Sequence, residues 1–138
     1  MQDITKLMVN KYRLKKLRYD FMGYFFVSPT ELSYHHLIVE KKDGGEETVE
    51  NGVILVRKTS HDYIHIIKAF DLNIFKKITE ELIKENRSGR IDMENLKVIN
   101  ELLLTFEEKH KEDTFKDGSL IVRDEYKKRV LTNNNLLL

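Results

Sequence analysis

Four of the five histidines in this 138-residue chain lie in two close pairs, and this grouping is the strongest chemical signal in the sequence. His35 and His36 are adjacent, whereas His61 and His65 are four residues apart. Neutral imidazole is the commonest protein ligand for metals, and it also titrates near physiological pH. Imidazoles gathered in one place can therefore bind a cation and move a proton.

The elements predicted around the first pair form a strand, a turn and a second strand. Residues 32–39 are rich in β-formers and predict a strand, and the apolar residues 52–57 predict the return strand. Gly44 and Gly45, between the two, are typical of a turn because glycine adopts a positive φ at no steric cost.

A helix is predicted to follow the return strand, with a hydroxyl residue before position 61 as its cap. On that helix His61 and His65 stand one above the other on the same face. A strand pair followed by a helix can bring His35 or His36 against this face. The spacing therefore predicts a metal site of three imidazoles with one imidazole to spare.

The order of these residues resembles that of the HNH endonucleases, over about residues 34–67. Two adjacent histidines are followed by paired glycines, then by Asn51 and Gly52 before an apolar strand, and finally by two helical histidines. The resemblance is closest to the branch that includes the colicin-type DNases. It implies an α+β fold with a ββα-metal (His-Me finger) core and the hydrolysis of nucleic-acid phosphodiester bonds.

The resemblance also implies a role for each residue. His36 would be the general base that activates water, and Asn51 would fix the loop between the strands so that the base is correctly oriented. One divalent metal ion would be held by His35, His61 and His65.

The identity of the ion stays open. Three imidazoles favour zinc, nickel, cobalt or manganese over magnesium, which prefers oxygen ligands. Tyr34, or a main-chain carbonyl on the first strand, is expected to orient the metal ligands from behind.

Two other functions are compatible with the same residues. One is a catalytically inactive module, stabilised by its metal, that binds nucleic acid or protein. The other is a metal-dependent hydrolase of a small phosphate ester or amide. His36 favours the nuclease over the inactive module, because a structural metal site does not need an additional donor. Histidines are also often ordinary surface or core residues, and Asn-Gly is a common turn dipeptide.

The overall composition narrows the class of protein. A hydrophobic content of 41% and a charged content of 34% are typical of one soluble globular domain of this length. The chain has no cysteine, which excludes disulfides and a cysteine zinc ribbon. We find neither a signal-peptide pattern nor a long apolar run, so we expect a cytoplasmic protein and no membrane partner.

Positive charge is local, because the formal net charge is only +1. Residues 3–20 predict a basic helix, which either grips phosphate or simply presents a solvated face. Arg57 and Lys58 stand at the end of the return strand, and either is a candidate to clamp a phosphate. With DNA as the expected partner, the predicted nucleic-acid ligands are Lys15, Lys16, Lys41, Lys42, Arg57 and Lys58.

Helices are expected to dominate the second half of the chain. Asp71 and Asp92 are predicted to cap two helices that form a hairpin, and His110 is interpreted as a surface residue. The hairpin holds eight Lys/Arg against eleven Asp/Glu, so a scaffold or homodimer role suits it better than phosphate binding. The predicted single domain comprises an N-terminal basic helix and cover (1–31, in which 21–27 form a short strand or a wedge), the finger (32–70), the hairpin (71–113) and a tail (114–138).

Overall fold

The computed structural model describes residues 3–110, and these residues form a mixed α+β structure, which confirms the predicted class. The predicted tail lies outside the described residues. Within residues 3–110, none of the helices combines the length and the apolar character needed to cross a membrane. The elements are α1 (Asp3–Lys11), α2 (Leu14–Leu17), β1 (Leu32–His36), β2 (Gly52–Val56), α3 (Ser60–Phe70), α4 (Leu72–Ser88) and α5 (Met93–Lys109), with short 3-10 turns at Pro29–Glu31 and Lys41–Asp43.

β1 and β2 pair as a two-stranded antiparallel sheet, in which Leu32 lies opposite Val56 and His36 lies opposite Gly52. β2 is buried along its whole length, as its apolar sequence requires. β1 ends three residues earlier than predicted. The main-chain N–H groups of Ile38 and Val39 donate to the side chain of Asn51, so these residues leave the strand ladder.

The segment before the sheet is a wedge, the second of the two predicted alternatives. Residues 21–26 turn over β2, with the Phe21 N–H donating to the Ile54 carbonyl at 3.3 Å. The buried carboxyl of Asp20 holds the wedge, because its oxygens accept main-chain N–H bonds from Met22, Tyr24 and Val56 at 2.9–3.0 Å. Burial raises the pKa of Asp20 to about 6.

The prediction of one continuous helix over residues 3–20 is wrong. Arg13 adopts a left-handed conformation with φ 57°, which separates α1 from the single turn of α2. The reason is the packing of Tyr12, whose hydroxyl donates to the Asn86 carbonyl at 2.8 Å and whose ring meets Phe21 edge-on. The change in direction after Tyr12 also allows Leu14 to be fully buried.

The two predicted helix caps in the second half of the chain are confirmed. The carboxylate of Asp71 accepts from the Ile74 N–H at the start of α4, and that of Asp92 accepts from the Glu94 N–H at the start of α5. Gly89 ends α4 with φ +75°, a conformation that favours glycine. The two helices pack against each other across this short connection.

His110 is not the surface residue that we predicted. Its side chain is only 12% exposed, and its Nε2 lies 3.0 Å from the Asp71 carboxylate. The ring also packs against Phe106, with 4.8 Å between centroids. The hydrogen bond with His110, followed by that with Lys109, lowers the pKa of Asp71. The end of α5 is therefore tied to the start of α4.

Glu85 is fully buried near the C-terminal end of α4. Burial raises its pKa well above the usual range of a carboxyl, and the nearby carboxylates of Asp20 and Asp92 raise it further. The main chain of Asp92 lowers the pKa and only partly offsets these effects. The side chain is therefore protonated in the folded protein over a wider pH range than in the unfolded chain.

We predict that Glu85→Gln flattens the pH dependence of stability. Since the folded-state pKa is raised, Glu85 contributes full stability below its unfolded pKa, and that contribution is lost as pH rises through the folded pKa. Glutamine stays neutral, so the variant should gain on wild type by up to about 1.4 kcal/mol per pH unit as the pH rises above the ordinary glutamate pKa of about 4.3. Urea unfolding across this range measures the difference.

The matched control is Glu80→Gln, which changes an exposed residue of the same helix. It should leave the pH dependence of the unfolding free energy close to that of wild type. If Glu85→Gln and wild type gave parallel curves, the protonated state of Glu85 would be refuted.

Candidate metal centre and cleft

Three of the four clustered histidines converge where the sheet meets α3. β1 carries His35 on the side that faces α3, and α3 presents His61 and His65 one turn apart. One ring nitrogen from each residue lies within 4.8 Å of the others. The ring centroids are 5.1–5.3 Å apart, so the cluster is close to an equilateral triangle.

This geometry fits a metal ion. A zinc–imidazole bond is about 2.0–2.1 Å long, so two nitrogens in a tetrahedral site lie about 3.4 Å apart. The three nitrogens, at 4.8 Å or less, would thus have to approach by at most about 1.4 Å. His35 is buried, His61 is half-buried and His65 is exposed, so the cluster opens to solvent on one side. The donor set suits zinc, nickel, cobalt or manganese.

The three imidazoles are also in the protonation state that a metal requires. Burial is the main cause that lowers the pKa of His35 to about 3, and the charge of the neighbouring His61 and His65, when protonated, lowers it further. Burial, and then His65, lower the pKa of His61 to about 4. Burial also lowers the pKa of His65. All three are therefore neutral at pH 7, and each has one nitrogen lone pair for a metal.

Ser33, which the sequence did not single out, contacts one member of this cluster. Its Oγ lies 2.8 Å from Nδ1 of His61 and 3.0 Å from the Leu55 carbonyl oxygen. Tyr34, which we expected to orient the ligands, is engaged elsewhere, because its hydroxyl donates to the Thr48 carbonyl at 2.6 Å. Strand periodicity contained the signal, since Ser33 and His35 are two residues apart and share a face.

His36 lies on the other face of β1, beside Tyr34, with 5.0 Å between the ring centroids. His36 is among the residues that line the same cleft as the other three histidines. Its Nε2 is shielded from solvent and has no hydrogen-bond partner among residues 3–110. A buried nitrogen without a hydrogen bond is unusual, because polar atoms in protein interiors are normally hydrogen-bonded.

Asn51 ties together the loop that joins the two strands. Its Oδ1 accepts from the N–H groups of Ile38 and Val39 at 3.1 and 2.7 Å. Its Nδ2 donates to the carbonyls of Val39 and Glu46 at 3.0 and 2.9 Å. Its main-chain oxygen also accepts from the Leu37 N–H at 2.7 Å. The three residues that directly follow His36 are thus held by a single residue, through its main chain and its side chain.

Three glycines allow this loop to close. Gly44 has φ +84°, as expected for a turn. Gly45 and Gly52 are needed instead for close approach, because a Cβ at Gly45 would collide with the Val39 carbonyl and one at Gly52 with the ring of Tyr34. The second glycine of the pair therefore serves a different purpose from the positive φ that we predicted.

The histidines line a cleft of about 990 Å³. Of the six predicted nucleic-acid ligands, three lie in its lining, and Lys15, Lys16 and Lys58 do not. Lys68, which we did not predict, is on α3 three residues after His65 and also lines the cleft. Helix periodicity could have identified it, because residues three apart share a face. The cations of the lining are Lys41, Lys42, Arg57 and Lys68.

The cations are held to different degrees. Arg57 donates through Nη2 to the Thr30 carbonyl at 2.6 Å, which fixes its guanidinium at the rim. Lys68 forms an ion pair with Glu40, and Lys42 lies 3.4 Å from the same carboxylate. The lining contains four cations against the two carboxylates of Glu40 and Glu47, so the cleft is net positive.

We predict that metal binding releases few protons. Three imidazoles with an ordinary pKa of about 6.5 would release about two protons at pH 6.0. Because the pKa values of His35 and His61 are about 3 and 4, we expect release of less than one proton. Calorimetry with Ni²⁺ in buffers of different ionisation enthalpy measures this number. Release of two or more protons would show that the histidines are not held neutral.

Comparison with known proteins adds no family to this description. The chain matches no protein-family model, and no curated protein or solved structure matches it significantly. The functional conclusion therefore depends on the histidine cluster and the cleft.

Proposed function

We propose that the chain is a metal-dependent endonuclease that hydrolyses phosphodiester bonds of nucleic acid, with DNA as its substrate. In this proposal β1, β2 and α3 form a ββα-metal core. The observation that carries it is the convergence of His35, His61 and His65 within 4.8 Å, with His36 in the same cleft. Three ligands that leave a metal open to solvent, together with a separate proton acceptor, can support hydrolysis of a phosphodiester.

The three clustered histidines would hold one divalent ion. Such an ion supplies Lewis-acid stabilisation of the negative charge on phosphate oxygens. The neutral state of the imidazoles supports this assignment, and so does the opening of the cluster to solvent at His65. That opening leaves room for a phosphate oxygen beside the ion.

His36 would accept the proton of the attacking water. General-base action of this kind typically contributes about 10² to 10⁴ in rate. The lack of a hydrogen-bond partner for Nε2 supports the role, because no other residue within 3–110 engages that nitrogen. The nitrogen is shielded from solvent, so the role requires rotation of the ring towards the cleft. Asn51 would position His36 by holding the two residues after Leu37.

The cations at the cleft would bind the phosphates on either side of the scissile bond. Arg57 is held by Thr30, so it could bind phosphate with little further loss of side-chain freedom. Lys41, Lys42 and Lys68 would add positive charge. Phosphate contacts of this type release counterions, so substrate binding should weaken as the salt concentration rises.

A second candidate is a catalytically inactive module whose metal only stabilises the fold. The shielding of His36 Nε2 favours it, since a base must reach water. The two candidates differ in whether any substrate is cleaved, and both require the same three metal ligands.

We predict that the metal-free protein does not cleave supercoiled plasmid, and that addition of Mn²⁺, Ni²⁺, Co²⁺, Zn²⁺ or Mg²⁺ separately identifies an ion that activates nicking. His36→Ala should reduce nicking at least 100-fold while metal affinity, measured by calorimetry, stays unchanged. His65→Ala should abolish both. Asn51→Ala should lower the rate more than it lowers metal affinity, because Asn51 contacts the loop after His36 and none of the three metal ligands.

The matched control is Lys76→Ala, which changes an exposed residue of α4 away from the cleft lining and should retain full activity. Metal binding without cleavage of plasmid, single-stranded DNA or RNA in any ion would refute the nuclease and favour the inactive module. Absence of metal binding would refute both candidates.

A further inference from the structure

We propose that Ser33 is a positioning residue that selects the tautomer of His61 and so presents Nε2 of that histidine as a metal ligand. This inference rests on the proposed metal site and adds to it a residue outside the ligand set. Its basis is a pair of contacts made by the Ser33 hydroxyl. The Oγ lies 2.8 Å from Nδ1 of His61 and 3.0 Å from the Leu55 carbonyl oxygen.

Hydrogen-bond counting assigns the proton of each group. A serine hydroxyl has one hydrogen to donate, and a carbonyl oxygen can only accept. If the hydroxyl donates to Leu55, then Ser33 Oγ must accept from His61, which places the imidazole proton on Nδ1. The opposite arrangement would leave two oxygens 3.0 Å apart with no hydrogen between them. Only the first arrangement satisfies both contacts.

The tautomer decides which nitrogen can bind a metal. In a neutral imidazole the nitrogen without a proton carries the available lone pair. With the proton on Nδ1, that nitrogen is Nε2. The other tautomer would place an N–H where the ligand lone pair is needed, and the ring would have to change its proton or its orientation before binding.

The position of Ser33 in the sheet explains how it can select the tautomer of His61. It lies on β1 two residues before His35 and faces the same side of the sheet. Its direct partner on β2 is Leu55, whose carbonyl accepts a hydrogen bond from the Ser33 hydroxyl. His61 is in the first turn of α3. One hydroxyl therefore connects both strands to the helix that carries two of the three ligands.

Removing the hydroxyl should weaken metal binding without removing a ligand. Loss of a hydrogen-bond partner behind a metal-bound histidine typically lowers metal affinity about 10- to 100-fold. We therefore expect Ser33→Ala to bind Ni²⁺ about 10- to 100-fold more weakly than wild type in calorimetry. Ser33→Thr keeps the hydroxyl and suits a strand, so it should restore most of the affinity. Thermal unfolding of the metal-free variants shows whether each is folded.

A second measurement follows the tautomer directly. Nitrogen-15 NMR of the imidazoles in the metal-free protein distinguishes a protonated nitrogen from one with a lone pair. Wild type and Ser33→Thr should show His61 protonated on Nδ1, whereas Ser33→Ala should show a mixture of tautomers. This result does not depend on metal or on activity.

The outcomes separate the positioning role from the metal site. If wild type binds Ni²⁺ and folded Ser33→Ala binds it equally well, the role of Ser33 is overturned and the metal site stands. If wild-type His61 is protonated on Nε2, the role of Ser33 is overturned as well. If wild type binds none of Ni²⁺, Zn²⁺, Co²⁺ and Mn²⁺, the metal site and the proposed function both fail, whatever the NMR spectrum shows.

Discussion

The register of β1 against β2 is the constraint on which the arrangement of the histidines depends. Successive side chains point to opposite faces of a strand, so the pairing of His35 with Val53 directs His35 towards α3 and His36 away from it. A shift of one residue would exchange the two imidazoles. The loop opposes such a shift for two reasons. The side chain of Asn51 makes four hydrogen bonds to the main chain of the loop. The ring of Tyr34 also occupies the space that a side chain at position 52 would need. The turn and the cluster are therefore one structural unit.

Buried titratable groups give this fold two opposite responses to pH. His35 and His61 have lowered pKa values, so the stability associated with their neutral state is present above about pH 6.5 and is lost as the pH falls towards the folded-state values. Asp20 and Glu85 have raised pKa values and act in the opposite direction, because their contribution is lost as the pH rises. Asp20 anchors the wedge over β2, and the histidines form the candidate site. The packing that positions these groups also keeps them uncharged over part of the pH range.

Much of this arrangement was predictable because its signals are local. The β-forming runs, the glycines and the spacing of His61 and His65 each act within a few residues, and they identified the strands, the turn and the helix. The capping of α4 and α5 by Asp71 and Asp92 is local in the same way. The break at Arg13 was not predictable, since neither glycine nor proline marks it, and its cause is the contact of Tyr12 with α4. His110 likewise depends on a partner 39 residues away. Ser33 and Lys68 were missed, although local periodicity places each of them beside a histidine. Ser33 is two residues from His35 on a strand, and Lys68 is three residues from His65 on a helix.

The central claim is that three imidazoles bind one metal ion, and X-ray absorption spectroscopy of the Zn²⁺-loaded protein tests it most directly. We expect one equivalent of zinc with three imidazole nitrogens at about 2.0–2.1 Å and a further light-atom ligand from solvent. His65→Ala should lose one imidazole from the spectrum or fail to retain the ion. A zinc environment made of oxygen ligands alone, or one that His65→Ala leaves unchanged, would contradict the assignment of His35, His61 and His65 as the metal ligands.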